Sequence, residues 1–306
     1  MYPRFYKPLK NQSFFLFGPR GTGKSTWLKD QYKQGFFIDL LNAETYRLLL
    51  GSPHRLQSLI PKASNLVIID EVQKIPDLLN EVHRLIENNK IDFILTGSSA
   101  RRLKREGINL LAGRALQRYF HPLTCWELGA DFSFQRALQF GLLPLSLKAK
   151  DPKDFLSAYV NTYLREEVQA EGLVRNLSAY SHFLEIASFS QGCTLTMSRI
   201  ASDVGVDAKV IASYFEITED LLLSIRVPVF SKKAKRRLKT HPKFFYFDCG
   251  VFRALRPKGP LDTMAKCFFL CMTSEEKVID DIQIINLEQA LHNLPQLMGF
   301  KWSPAI

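Results

Sequence analysis

The run Gly18-Pro19-Arg20-Gly21-Thr22-Gly23-Lys24-Ser25-Thr26 holds the residue types needed to grip a polyphosphate. Glycines at 18, 21 and 23 keep Cβ atoms out of an anion's path and permit positive φ, so that backbone N–H groups can wrap a phosphate. Lys24 supplies a cation for the β- and γ-phosphates, and the Ser25 hydroxyl is a ligand for Mg²⁺. The spacing is G-x-x-x-x-G-K-[ST], which carries this chemistry only between a strand and a helix. Phe14-Phe15-Leu16-Phe17 reads as a buried strand, and Trp27 to Tyr32 continues as a helix whose positive end would face the anion. The bland alternative is a chance glycine turn. With strand and helix both present, the run predicts a site for ATP and Mg²⁺.

Two acids extend that chemistry. Asn65-Leu66-Val67-Ile68-Ile69-Asp70-Glu71 is an uninterrupted apolar run ending in carboxylates, the pattern of a central parallel strand buried on both faces. In open α/β sheets ligands sit at the carboxyl ends of strands. Asp70 is therefore placed to hold Mg²⁺ (the Walker B position), and Glu71 to polarise an attacking water as a base. A further buried strand, Ile91 to Leu95, ends in Thr96-Gly97-Ser98-Ser99. Ser98, with Thr96 and Ser99 as alternatives, is placed to contact a γ-phosphate or the attacking water; an ordinary Gly-Ser turn would look the same. Arg101, Arg102, Lys104 and Arg105 read as a solvated basic face. Arg114, before a fifth strand from Leu116 to Phe120, is a candidate to stabilise transition-state charge in its own or a neighbouring subunit, against an ordinary surface arginine.

The elements that must carry these groups fit an α/β domain with more chain behind it. At 306 residues, with 46% hydrophobic and 23% charged content, two or three domains are expected. The five cysteines contain no C-x-x-C pair, which favours reduced thiols in the cytoplasm over a metal site. No apolar run approaches a membrane span. A net charge of +11 points to an anionic partner beyond ATP itself.

Phe140 to Pro144 and Lys150 to Lys153 mark a boundary, giving an ATPase core over 1–148, a helical domain over 149–256 and a remainder over 257–306. Phe155, Tyr159, Val160, Tyr163 and Leu164 recur at helical spacing. Met197 to Val204, a turn at Gly205, and a helix from Ala208 toward Leu223 read as a helix-turn-helix, or as any helical hairpin. Ile225 to Phe230 and Phe244 to Phe247 bracket a hairpin whose tip carries Lys232, Lys233, Lys235, Arg236, Arg237 and Lys239 without an acid. Such a loop suits nucleic-acid phosphates. The second helix carries Glu216, Glu219 and Asp220 against Lys209 alone, so docking by the hairpin with little base reading is the expectation.

Arg20 within the phosphate loop, Asp70-Glu71, Leu95 to Ser99, Ala112-Gly113-Arg114 and His121-Pro122-Leu123-Thr124 before Glu127-Leu128 occur in this order. In these residues the chain resembles the prokaryotic AAA-superfamily ATPases that carry a conserved domain of unknown function behind the ATPase core. The resemblance continues through Ala158-Tyr159, Tyr163-Leu164, Asn176, Phe183-Leu184-Glu185, Pro242-Lys243-Phe244, Phe247-Asp248 and Gly250-Val251, covering roughly 10–256. It implies a parallel sheet of strand order 5-1-4-3-2 joined to a winged-helix segment; family members commonly end in a restriction-endonuclease-like module. Thr263 to Ile306 departs from that pattern. Asp262 with Glu275-Glu276-Lys277 spells a nuclease-like trio that arises readily by chance, and a truncated or frame-shifted tail that packs weakly is the expectation. The chain reads as a Mg²⁺-dependent ATPase coupled to a nucleic-acid or protein partner, compatible with a homo-oligomer. A slowly turning nucleotide-gated switch without DNA contact is the rival. A small-molecule kinase is disfavoured by Glu71 directly after Asp70, and a GTPase by the lack of an N-K-x-D signature.

Overall fold

A computed structural model describes residues 2–98, 101, 103, 111–170, 174, 176–228, 242–256, 277–279, 282–284 and 291. By internal contacts the chain divides into two compact units. One comprises Tyr6–His121 with Asp220–Leu222; the other comprises the described residues before Tyr6, from Pro122 to Glu219, and from Leu223 onward. The sequence-based boundary lies near 148, whereas this division falls at Pro122.

The first unit is built on a five-stranded parallel sheet. Its strands are β1 (Phe14–Phe17), β2 (Phe36–Asp39), β3 (Leu66–Asp70), β4 (Asp92–Gly97) and β5 (Leu116–Tyr119), in the order β2-β3-β4-β1-β5. This is the 5-1-4-3-2 order read from the other edge. Helices α1 (Lys24–Gln31), α2 (Ala43–Gly51), α3 (Arg55–Leu59) and α4 (Leu78–Asn89) lie between the strands in sequence. Both faces of the central strands are apolar because successive side chains point to opposite sides. Phe14, Leu16, Ile68 and Ile94 pack with Trp27 and Leu28 of α1. Phe15, Phe17, Val67, Ile69, Phe93 and Leu95 pack with Leu49, Leu56, Leu78, Val82 and Leu85 of the other helices. All four residues of β1 are fully buried. A strand held so tightly fixes where its carboxyl end, and the loop that follows, can lie.

The second unit is mostly helical. Helices α5 (Cys125–Leu128), α6 (Phe134–Phe140), α7 (Pro144–Lys148) and α8 (Pro152–Ala158) lead through a π-helical turn, Tyr159–Leu164, into α9 (Arg165–Ala170). After these come α10 (Leu177–Ser188), α11 (Met197–Val204) and α12 (Ala208–Asp220), then an antiparallel hairpin of β6 (Ser224–Val227) and β7 (Lys243–Tyr246), and α13 (Cys249–Leu255). Gly205 ends α11 in the left-handed region at φ 78°, the conformation that glycine adopts without a Cβ penalty. Between α10 and α11, Gln191 and Thr194 bridge to Phe244 and Lys243 of β7. The small core is aromatic: Phe183 stands edge-on to Phe215 at 4.8 Å, Phe215 meets Phe244 at 5.1 Å, and the Tyr246 hydroxyl donates to the Leu184 carbonyl at 2.6 Å. Further on, β8 (Lys277–Ile279) pairs with β9 (Ile282–Ile284). No described helix is long and apolar enough to cross a membrane.

Candidate functional site

Strand register brings the chemically active residues to one edge of the sheet. Phe17 pairs with Gly97 and Asp39 with Asp70, so the loop after β1, the acid ending β3 and the polar end of β4 emerge side by side. Gly18 donates its N–H to the Gly97 carbonyl at 3.2 Å. A Cβ at 18 would lie 2.2 Å from the Phe120 carbonyl oxygen, so the loop leaves the sheet in a gap that only glycine passes. Gly23, at φ 92°, turns the chain into α1. The Lys24 ammonium, nearly buried, donates to the Gly18 carbonyl at 2.6 Å and the Pro19 carbonyl at 3.2 Å. Thr22 ties the loop internally by donating to the Pro19 carbonyl at 2.8 Å. Gly21 sits at φ 83° within the loop, and Arg20 and Thr26 face solvent.

Opposite the loop, the Ser25 hydroxyl donates to Asp70 Oδ2 at 2.6 Å. Asp70 Oδ1 accepts from the Thr96 hydroxyl, and Thr96 Oγ1 in turn accepts the Glu71 backbone N–H at 3.2 Å. Thr96 is fully buried and Asp70 nearly so. The loop hydroxyl and the strand-end acid thus sit as paired oxygen donors beside a cation and a helix N-terminus. That donor set suits Mg²⁺, which favours one or two protein oxygens together with phosphate oxygens and water. Among the described residues no cluster of three or more His, Cys, Asp or Glu could hold a metal by itself. Glu71 follows in a left-handed backbone, φ 62° and ψ 43°, which is uncommon for a side chain of its size and frequent at functional sites.

Gln73, to which the sequence assigns no role, lies in the short 3₁₀ turn Val72–Lys74 and is buried. Its amide nitrogen donates to Glu71 Oε2 and to the Ser98 hydroxyl, the latter at 3.4 Å. Ser98 itself is buried at the end of β4, and Ser99 lies outside the described residues. Thr96, an alternative for phosphate contact, is instead bonded to Asp70 and the Glu71 backbone.

Arg114 is elsewhere. Strand β5 pairs Leu116 with Phe14, at the amino ends of the parallel strands, and Gln12 reaches the Arg114 carbonyl at 3.4 Å. Its guanidinium is paired with Glu87, whose carboxyl it holds below the usual range. Arg114 is thus paired with Glu87 near the amino ends of the strands, whereas the phosphate loop follows the carboxyl end of β1.

In the second unit the hairpin tip with Lys232, Lys233, Lys235, Arg236, Arg237 and Lys239 lies outside the described residues. The acidic face of α12 differs from its sequence-based reading. Glu219 accepts the Arg226 backbone N–H at 2.8 Å and pairs with its guanidinium, so this acid fastens β6 to the helix. That bond also raises the Arg226 pKa. Glu216 remains exposed, as does Lys209.

A parallel sheet in this order, with a glycine-lysine loop at the carboxyl end of β1 and an acid ending the strand two places away, defines a nucleotide-binding P-loop domain of the AAA superfamily. Residues 10–129 match the family described as AAA domain, and 131–262 match a domain of unknown function (DUF8612). Residues 10–129 thus form an AAA-superfamily P-loop domain, and a domain of unknown function follows it. It is 23% identical over 211 residues to an uncharacterized protein of Haemophilus influenzae, covering 63% of this chain and 53% of that protein. It is 24% identical over 198 residues to uncharacterized protein Rv2008c of Mycobacterium tuberculosis, covering 63% and 44%. The chain spans about half the length of the curated relatives it matches. Among solved structures, the Aeropyrum pernix ORC1 protein in complex with DNA aligns over 81% of this chain and 87% of that one, at 12% identity and a TM-score of 0.29.

Proposed function

We propose that this chain is a cytoplasmic Mg²⁺-dependent ATPase that couples hydrolysis to a nucleic-acid or protein partner. The observation that carries the reading is the Ser25–Asp70 contact of 2.6 Å beside the nearly buried Lys24 ammonium. Mg²⁺, when bound with ATP, supplies charge neutralisation across the β- and γ-phosphates. Lys24 would leave the Gly18 and Pro19 carbonyls for the phosphates, which offer a charge-assisted hydrogen bond in place of neutral ones. Ser25 and Asp70 would hold the cation, Glu71 would take the proton of the attacking water, and Ser98 would orient the γ-phosphate side. Residues from α10 to β7 follow the order helix, bridging segment, helix, tight turn, helix and hairpin, which supports a winged-helix reading of the second unit. Its basic tip is the proposed nucleic-acid contact.

ATP turnover by purified protein, with and without duplex DNA, tests the proposal. Lys24→Ala should abolish nucleotide binding. Glu71→Gln should bind ATP like the parent and hydrolyse it about 10²-fold or more slowly, the usual worth of a general base. Equal turnover by Glu71→Gln and parent would remove Glu71 as the base. Tight ATP binding without turnover by the parent would leave a nucleotide-gated switch.

A further inference from the structure

We infer that Gln73 is a positioning residue for hydrolysis, its amide holding the Glu71 carboxylate and tying it to Ser98 at the end of β4. The inference rests on the proposed ATPase reading and adds to it a residue that no motif assigns. Three observations carry it. First, Gln73 is only 6% exposed, and its amide nitrogen bridges Glu71 Oε2 and Ser98 Oγ. The orientation of the amide follows from chemistry, because an ionised carboxylate only accepts and so must face the NH₂ group. Second, the other end of the amide lies against Gly97. A Cβ at 97 would stand 2.5 Å from Gln73 Oε1, so the absence of a side chain there is what admits the glutamine. That buried oxygen has no hydrogen-bond partner among the described residues. Third, the neighbouring backbone is fixed in an uncommon conformation: Glu71 is left-handed, and its N–H is held by Thr96 Oγ1. Against a turn so constrained, the Gln73 amide holds one oxygen of the Glu71 carboxylate.

A base that must meet a water at hydrogen-bond distance loses rate steeply when its carboxylate wanders. Gln73→Leu keeps the bulk and removes the donor. It should lower kcat for ATP on the order of tenfold or more while the KM stays within about threefold, since the phosphate grip is untouched. Gly97→Ala, which displaces the amide without altering it, should produce the same split. A residue acting through Glu71 has nothing to position once the base is gone. Gln73→Leu placed on Glu71→Gln should therefore slow the residual turnover by less than about twofold, because residues that work as a unit are not additive. The experiment is steady-state turnover and nucleotide titration of the full chain and these variants. If the parent hydrolyses ATP and Gln73→Leu keeps kcat within twofold, the inference is overturned and the ATPase reading stands. It is also overturned if the effects of Gln73→Leu and Glu71→Gln multiply, or if Gln73→Leu loses nucleotide binding, since each marks a merely structural role. A parent without turnover removes both readings together.

Discussion

Thr96→Val replaces one buried oxygen by a methyl group in a side chain of the same branching, so it isolates a single contact. In the structure that oxygen donates to Asp70 Oδ1 and accepts the Glu71 N–H at 3.2 Å, and Thr96 is fully buried. A hydrogen bond to a charged group contributes about 1.5–3 kcal/mol and a neutral one about 1 kcal/mol. Because the methyl fills the vacated volume, no cavity term is added, and the loss of stability should be about 2–4 kcal/mol. For a domain of this size each kcal/mol moves Tm by about 2–8 °C, so a drop on the order of 10 °C is expected. The functional consequence is more specific than the stability loss. Asp70 is held from two sides, by Ser25 and by Thr96. Losing the second frees the carboxylate to leave the position that faces Ser25. Affinity for ATP in Mg²⁺ should weaken about tenfold, or about 1.4 kcal/mol, whereas binding measured in EDTA should hardly change. Titration of a fluorescent ATP analogue in each condition reads this directly. Ser98→Ala provides the contrast, because Ser98 touches Gln73 and not Asp70: it should lower kcat with the metal dependence intact. If Thr96→Val binds nucleotide with the parent's Mg²⁺ dependence and melts within a degree or two of it, the Thr96–Asp70 bond is not what positions the acid.

Arg114→Ala should leave ATP affinity unchanged, because the side chain lies at the opposite end of the strands. If Arg114 serves a neighbouring subunit, kcat falls and is partly restored by mixing with Glu71→Gln protein; turnover equal to the parent at every concentration returns Arg114 to an ordinary surface pair with Glu87. Asp248 caps α13 by accepting the Val251 N–H at 3.0 Å, and it accepts the Leu142 N–H at 2.7 Å. Burial pushes its carboxyl above the ordinary range, and these N–H groups oppose the shift. A raised folded pKa means that its stabilising contribution is full below the ordinary value of about 3.9 and is lost as pH rises through the folded value. Asp248→Asn should flatten the acid side of the second unit's denaturant midpoint against pH, and an unaltered curve would refute the titration. Serine at Lys233, Lys235, Arg236 and Arg237 should weaken duplex binding alike for unrelated sequences and lower the log–log salt slope by about three units; anisotropy showing the parent's affinity and slope would turn the search toward a protein partner.

What the sequence discloses about this chain is what lies within a few residues. The phosphate loop is legible because strand, glycines, lysine and helix are consecutive. The sheet order follows only from resemblance, while the burial of β1, β3 and β4 on both faces is plain from their unbroken apolar runs. Gln73 is invisible because its meaning depends on a left-handed Glu71 and a 3₁₀ turn that carry it to Ser98, 25 residues away. No propensity of the local residues announces that fold-back. Glu219 reads as surface charge until the chain returns as β6 and places Arg226 against it. The same reason accounts for the boundary. Glycine, proline and charge around 140–153 look like a linker, yet Asp248 bonds to Leu142 across 106 residues, and Gly250 lies so close to the Phe140 carbonyl that a Cβ would meet its carbon at 2.4 Å. A stretch pinned by a buried carboxylate to a helix a hundred residues downstream is part of the second unit's core, so α6 and α7 belong with it however linker-like their composition. The composition of a segment tells how it behaves when nothing holds it; here the carboxylate of Asp248 holds it.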